Sequence, residues 1–408
     1  MDGRKRVILA ALITLAALMT ITGCRPAAPT PTPLPPTPAR IVVTMPPRPT
    51  TTSVEVLDKV RGKVDAPITW TLYGNFRAEA SVTLARNLLI LIERYPDQVR
   101  LVWRHYPTRG DALSLLAASG AEAAGAQGKF WEMHDTLLAT RGEWFNATPT
   151  LFRELLTQYA AQSDVPDLAA FNAALDKKTY DAPLEQAIRA AGARGFRSSP
   201  ALMLQNRPYG GRIDEFGLDS AVQLILLKEH QFSKQPPFEI DPNKRYRATL
   251  ITAKGEVEIE LFTQTAPVTV NNFVYLARQG WYDGITFHLV TPELVQTGDP
   301  SGTGEGTAGY TIFDEADNGL TFDRAGLVAM ASQRGVRNSG SSQFFITLGI
   351  MPPEGYNGEF AIFGQVTKGM DVLRLLRERN PFDLLRFPNP PPGDALLRVI
   401  ITESALGE

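Results

Sequence analysis

The sequence predicts a multidomain chain in which an α/β domain with a helical insertion precedes a closed β-barrel capped by helices. Three observations carry that expectation. Between residues 67 and 230, strand-like apolar stretches alternate with long segments of helical periodicity. From residue 247 onward, short strands with alternating polarity are separated by glycine- and proline-rich turns. Ahead of both, a basic start, an apolar run and a proline-rich stretch form a separate compositional block. The 408 residues suffice for two or three domains, and 44% hydrophobic with 21% charged residues is the balance of a globular chain.

Composition excludes several functions. The formal net charge is −2, without a long Lys/Arg run, so nucleic acid is not an expected partner. One cysteine and four histidines rule out most zinc frameworks. His105, His134, His230 and His288 are scattered and read as solvated or core residues. No metal and no cofactor are expected.

The first block reads as an export signal over residues 1–23. Residues 2–6 are a basic n-region, and Val7–Thr22 is apolar, short for a membrane span and suited to an h-region. It ends in Ile21-Thr22-Gly23-Cys24, which resembles the lipobox of bacterial lipoproteins. The resemblance implies cleavage before Cys24 and acylation of that residue, with a lipid membrane as partner. The alternative is an uncleaved anchor with an incidental cysteine. Residues 24–53 read as a tether, because ten prolines fall between Arg25 and Thr50, mixed with Thr and Ala. Fully extended, it reaches on the order of 90 Å. The expected location is therefore extracytoplasmic and membrane-anchored.

Residues 54–237 form the expected α/β domain. Pro67–Phe76 and Val99–Tyr106 read as strands, with a helix over Glu79–Tyr95 between them. A long helical region runs from Ala112 to Ala193, then a strand over Ala201–Gln205 and a helix over Glu215–His230. Asp65–Phe76, Gly125–Asp135 and Ser199-Pro200 together resemble the thioredoxin fold of the DsbA-like family. That resemblance implies a cis bond before Pro200. It also implies a Cys-x-x-Cys redox motif after Phe76, where this chain reads Ala78-Glu79-Ala80-Ser81. Disulfide chemistry needs a thiolate and is excluded here. A peptide-binding module beside Pro200 and a scaffold remain as readings.

Residues 245–408 form the second domain. A hairpin over Arg247–Thr252 and Glu256–Phe262 leads to a helix over Ala266–Arg278, with Pro267 in its first turn. Ile285–Val290, Gly326–Ala331, Gln343–Leu348 and Phe360–Val366 read as strands. The loop Gly302–Gly309 lacks the Lys and following helix of a phosphate loop and reads as a surface turn.

Seven ordered pieces of this domain match one family: Thr265–Phe273, Trp281–His288, Gln296–Pro300, Ser301–Gly304, Gly326–Ala331, Gly340–Ile346 and Phe360–Val366. The domain resembles a cyclophilin-type peptidyl-prolyl isomerase along nearly its whole length. The resemblance implies catalysis of rotation about X-Pro amides, whose barrier is about 18–20 kcal/mol, and proline-containing polypeptides as partners. It implies Phe345 as the floor of a proline pocket lined by Leu294 and Val295, with Tyr356 and Phe360 on the far wall. Gln343 would support the substrate backbone with help from Gln296, and Ala331 and Ser332 would supply backbone contacts.

The match is incomplete. The family strand reads Phe-His-Arg, and here it is Phe287-His288-Leu289. Loss of a charge-assisted donor is worth roughly 1.5–3 kcal/mol, about ten- to hundredfold in rate. The stretch Pro292–Gln296 is one residue short, Ser332 stands for the usual Asn, and Gly355 falls where some members carry Trp. Arg334 or Arg337 is the candidate for reaching across. The expected function is a prolyl isomerase of reduced turnover that assists exported proteins. A non-catalytic X-Pro-binding chaperone or envelope scaffold is the alternative.

Overall fold

The computed structural model describes residues 58–405. The export signal, the tether, Cys24 and residues 406–408 lie outside the described residues. Among the described residues no helix is long and apolar enough to cross a membrane.

The first domain contains β1 (Lys59–Gly62), β2 (Ile68–Gly74), α1 (Glu79–Arg94) and β3 (Val99–His105). Six helices follow where the sequence predicts one long helical region. They are α2 (Ala112–Gly125), α3 (Phe130–Ala139), α4 (Arg141–Trp144), α5 (Pro149–Gln162), α6 (Leu168–Asp176) and α7 (Asp181–Ala193). Caps explain the breaks: Asp111, Thr148 and Asp167 each accept a backbone N–H at a helix start. The chain returns as β4 (Ala201–Leu204), β5 (Arg207–Pro208) and α8 (Glu215–Leu227).

The described strands of this domain form one sheet in the order β1-β3-β2-β4-β5, with β2 and β3 parallel. The central strand β2 is buried almost throughout, which explains its near-continuous apolar sequence. Its last residue is a glycine, Gly74, because a Cβ there would run into the Trp103 ring. The Ser199–Pro200 bond is cis. Ser81 is fully buried, and its Oγ accepts the Asn75 N–H at 3.2 Å, so it is a structural residue. Nearby, Glu122 bridges His105 and Lys59 at 2.9 Å each. Burial opposes its charge, but these partners hold its carboxyl below the usual range.

The second domain contains β6 (Lys244–Thr252), β7 (Gly255–Leu261), α9 (Pro267–Arg278), β8 (Ile285–Thr286), β9 (Leu289–Val290) and β10 (Leu294–Thr297). It continues with β11 (Leu327–Met330), β12 (Phe344–Thr347), β13 (Ile362–Lys368), α10 (Met370–Arg374) and β14 (Ala395–Ala405). Glu315 caps α9 by accepting the N–H groups of Val268 and Thr269 at 3.0 and 2.8 Å. The helix delivers Val270, Phe273 and Val274 into the barrel core.

The described strands here form a curled sheet in the order β8-β14-β6-β7-β13-β11-β12-β10-β9. The expected closure by pairing is not what is found. The end strands β8 and β9 share no ladder among the described residues, and Thr297 Oγ1 donates to the Thr286 carbonyl across the seam at 2.9 Å. The single strand expected over Ile285–Val290 is split for the same reason. Phe287 and His288 are both fully buried, which breaks the two-residue alternation, and the chain changes partner from β14 to β10. Leu227, Phe232 and Ile240 pack in the barrel's core cluster, so the chain belongs to this domain's packing well before Arg245.

Candidate active site

Period-two alternation builds the site on the outer face of β9, β10 and β12. Leu289 pairs with Gln296, and Gln296 pairs with Phe345. The three side chains therefore form one row across three strands, spaced by about 4.8 Å per strand. Val290, Val295, Phe344 and Ile346 point the other way into the barrel core.

This corrects one expectation. Val295 is fully buried in the core and does not line the pocket. With Leu294 and Gln296 facing outward, the residue between them must face inward.

The remaining aromatic residues come together. Phe345 is 3% exposed and clusters with Leu294, Ala331, Tyr356 and Phe360. Its ring meets Phe360 edge-on at 5.2 Å and lies 6.4 Å from Tyr356. The sequence reading missed Phe322, which stacks on Phe345 at 5.8 Å with 17° between planes, and Met351, which packs in the same cluster. Asn357 Oδ1 accepts the Phe322 N–H at 2.9 Å, fixing that loop. The result is an aromatic cup of the polarity a proline ring needs. A cavity of about 260 Å³ lined by Val290, Pro292, Leu348 and Leu373 shares no residue with this cup.

The two glutamines are joined to each other and to the glycine-rich loop. Gln343 Nε2 donates to the carbonyls of Gly304 and Gly306 at 3.0 and 2.8 Å, and its Oε1 accepts from Gln296 Nε2 at 2.8 Å. Both ends of Gln343 are thus engaged by the protein. Gln296 keeps its Oε1 and one amide hydrogen unbonded among the described residues, on the row beside Phe345. Gln296 is the amide that faces the cup, and Gln343 anchors it. Beside them, the Ala331 N–H is taken by the Gln343 carbonyl at 2.9 Å. The backbone N–H and carbonyl of Ser332 carry no bond among the described residues.

Charge around the cup is sparse. Leu289 brings none. Arg337 is tied to Asp314 and Asp317 at 3.3 and 2.9 Å. Arg334 has no acidic partner among the described residues, and its guanidinium sits 5.5 Å from the Tyr356 ring centre, against the open face of Gly355. Behind the row, Asp299 accepts the N–H groups of Ser301, Gly304 and Gly306 at 2.8–2.9 Å and so shapes the glycine-rich loop that Gln343 holds.

His288 lies beneath this loop, fully buried, with neither ring nitrogen hydrogen-bonded among the described residues. Burial lowers its pKa to about 4 and Arg379 adds to that, against the opposing pull of Asp299. Folding therefore excludes a proton that the unfolded chain binds below about pH 6.5. The contribution is absent above that pH and destabilises progressively as pH falls toward 4. His288→Gln is expected to flatten the decline of the thermal midpoint between pH 6.5 and 4, leaving the parts due to His134, whose pKa burial also lowers, and to carboxylates held below their usual range, such as Glu122 and Asp135. An unchanged slope in His288→Gln would refute this assignment.

Comparisons with known proteins agree with this geometry. Residues 247–390 match the family model described as cyclophilin type peptidyl-prolyl cis-trans isomerase/CLD, and residues 55–223 match a thioredoxin model. The peptidyl-prolyl cis-trans isomerase ppi1 of Schizosaccharomyces pombe is 44% identical over 131 residues, which are 31% of this chain and 81% of that protein. Peptidyl-prolyl cis-trans isomerase-like 1 of Rhizopus delemar is 40% identical over 136 residues, 32% of this chain and 80% of that protein. A solved cyclophilin-type isomerase of Cryptosporidium parvum is 31% identical, covering 39% of this chain and 99% of its own, with a TM-score of 0.36. With a thioredoxin-like domain ahead of it, the chain belongs to the cyclophilin-type peptidyl-prolyl cis-trans isomerase family.

Proposed function

We propose that this isomerase turns over X-Pro bonds of exported polypeptides slowly, through a site in which Phe345 floors the proline ring and Gln296 meets the substrate backbone. The observation that carries the reading is the row Leu289–Gln296–Phe345, with the aromatic cup on one side and no charge at its start. Amide rotation needs neither nucleophile nor proton transfer. It needs the proline ring held while the carbonyl side turns, and donors that favour the twisted state over the planar one. Leu294, Tyr356, Phe360 and Phe322 hold the ring. Gln296 offers one N–H donor and one acceptor. Ser332 offers a backbone donor and acceptor to the residue before proline, alongside Ala331.

The cation of the site is Arg334, which rises from the 332–339 loop over Tyr356. That loop is pinned at Gly335 N–H to Glu359 at 3.2 Å and at Gln333 N–H to Ser339 at 2.8 Å. Arg334→Ala is expected to lower turnover about three- to tenfold, the effect of one partly solvated charge-assisted donor. Arg334→Lys should retain part of it, and Arg337→Ala should leave it unchanged. Equal rates for Arg334→Ala and wild type, measured by exchange NMR on a proline peptide, would remove Arg334 from the site.

The setting follows from the N-terminal block. Acylation of Cys24 after export places the enzyme outside the cytoplasm on a membrane, with the proline-rich segment as spacer. Metabolic labelling with a radioactive fatty acid tests this. Label should appear in the wild type and vanish in Cys24→Ser, and an unlabelled wild type would sink the lipoprotein reading.

A further inference from the structure

We propose that the cysteine-less thioredoxin-like domain serves the isomerase as a built-in positioning element, gripping the site from behind through α8 and the segment after it. The proposal rests on the assignment of Gln296 and Gln343 above and gives the redox-dead domain a function.

Two grips carry the argument. The first is at the C-terminal end of α8. Leu227 is buried in the barrel's core cluster, within close range of Gly306. Gln231 Nε2 donates to the Thr307 carbonyl at 3.0 Å, and the Phe232 N–H donates to the Ala308 carbonyl at 2.8 Å. A Cβ on Gly309 would collide with the Phe232 backbone, so the two segments lie in direct contact. This same loop carries the Gly304 and Gly306 carbonyls that hold Gln343, which in turn holds Gln296. The loop is thus clamped between the catalytic face and the end of α8 with the segment after it, and α8 is held in turn by the thioredoxin-like core through Leu218 and Val222.

The second grip is at the start of α8. Arg212 donates to the carbonyls of Pro381 and Pro388 at 3.3 and 3.4 Å. The Phe216 ring covers the Arg379 guanidinium, with 5.7 Å from its carbon to the ring centre. Arg379 is buried without an acidic partner among the described residues, and burial lowers its pKa. It donates instead to the carbonyls of His288 and Pro391, both at 2.7 Å, and its backbone exchanges two hydrogen bonds with Val290. β9, where the catalytic row begins, is therefore fixed by a cation that the other domain shields.

A local clamp and a merely stabilising contact predict different results. In the intact protein, Gln231→Ala and Leu227→Ala are expected to lower turnover on a proline peptide by about tenfold. Peptide affinity should change little, because the aromatic cup is untouched. Amide exchange at Gly304 and Gly306 should accelerate while that of β7 and β12 does not. Leu227→Met should restore the rate. Gln343→Ala and Phe345→Ala serve as references: if neither lowers the rate, the site assignment itself fails. If both lower it and Gln231→Ala and Leu227→Ala do not, the clamp is wrong. A rate loss that only parallels faster exchange throughout β7 and β12 also overturns it, since that is general destabilisation.

Discussion

Phe345→Ala is expected to reduce the isomerase specificity constant by ten- to a hundredfold or more. Burying a proline-sized apolar ring against an aromatic floor is worth about 1.5–3 kcal/mol, and each 1.4 kcal/mol is tenfold in rate. The ring is also structural, stacked on Phe322 and edged by Phe360. Truncation of a buried Phe costs about 3–5 kcal/mol of stability, so a lower thermal midpoint should accompany the loss. Phe345→Leu separates the two effects. It keeps an apolar floor and most of the volume, and should recover stability more fully than rate. A Phe345→Ala variant that binds proline peptides as tightly as wild type would refute the pocket assignment.

Leu289→Arg is expected to act in the opposite direction, raising turnover by ten- to a hundredfold. Leu289 lies on the outer face of β9, directly opposite Gln296, with Phe345 next in the row. An arginine there reaches past Gln296 toward the cup with its fork of donors. Its position is half-buried, so the guanidinium is partly desolvated and its hydrogen bonds to a turning amide are strengthened. Leu289→Lys should gain less, having a point charge in place of a planar fork. No gain from either would mean that the row does not address the substrate's carbonyl side.

The strands that alternate cleanly were legible in the sequence. Those whose pattern is interrupted were not. β6 and β7 read correctly because one face of each alternates into the core, and β11 and β12 because, buried throughout, they are continuous apolar runs. β14 was missed, although it is the longest strand described, because a register shift between Leu396 and Arg398 disrupts its alternation. The missing Cys-x-x-Cys of the first domain is legible directly, because Ala78-Glu79-Ala80-Ser81 follows Phe76.

In the candidate site, the clustering of apolar side chains was legible and the hydrogen-bond partnerships were not. Phe345, Tyr356 and Phe360 were placed together correctly as a cluster. Gln343 was read as the substrate contact, since nothing local reveals that carbonyls at Gly304 and Gly306 take its amide. Phe322 and Phe232 are single aromatics in polar surroundings, and only tertiary packing gives them their roles. Val295 could have been assigned inward from the outward placement of Gln296 alone.

The central claim is that the aromatic cup and Gln296 catalyse X-Pro rotation without an arginine at position 289. Exchange NMR on a short proline peptide, with the intact protein added at increasing concentration, measures this directly. Cis–trans exchange should accelerate in proportion to protein concentration, with the acceleration lost in Phe345→Ala. Exchange that stays at the uncatalysed rate at high protein concentration would contradict it.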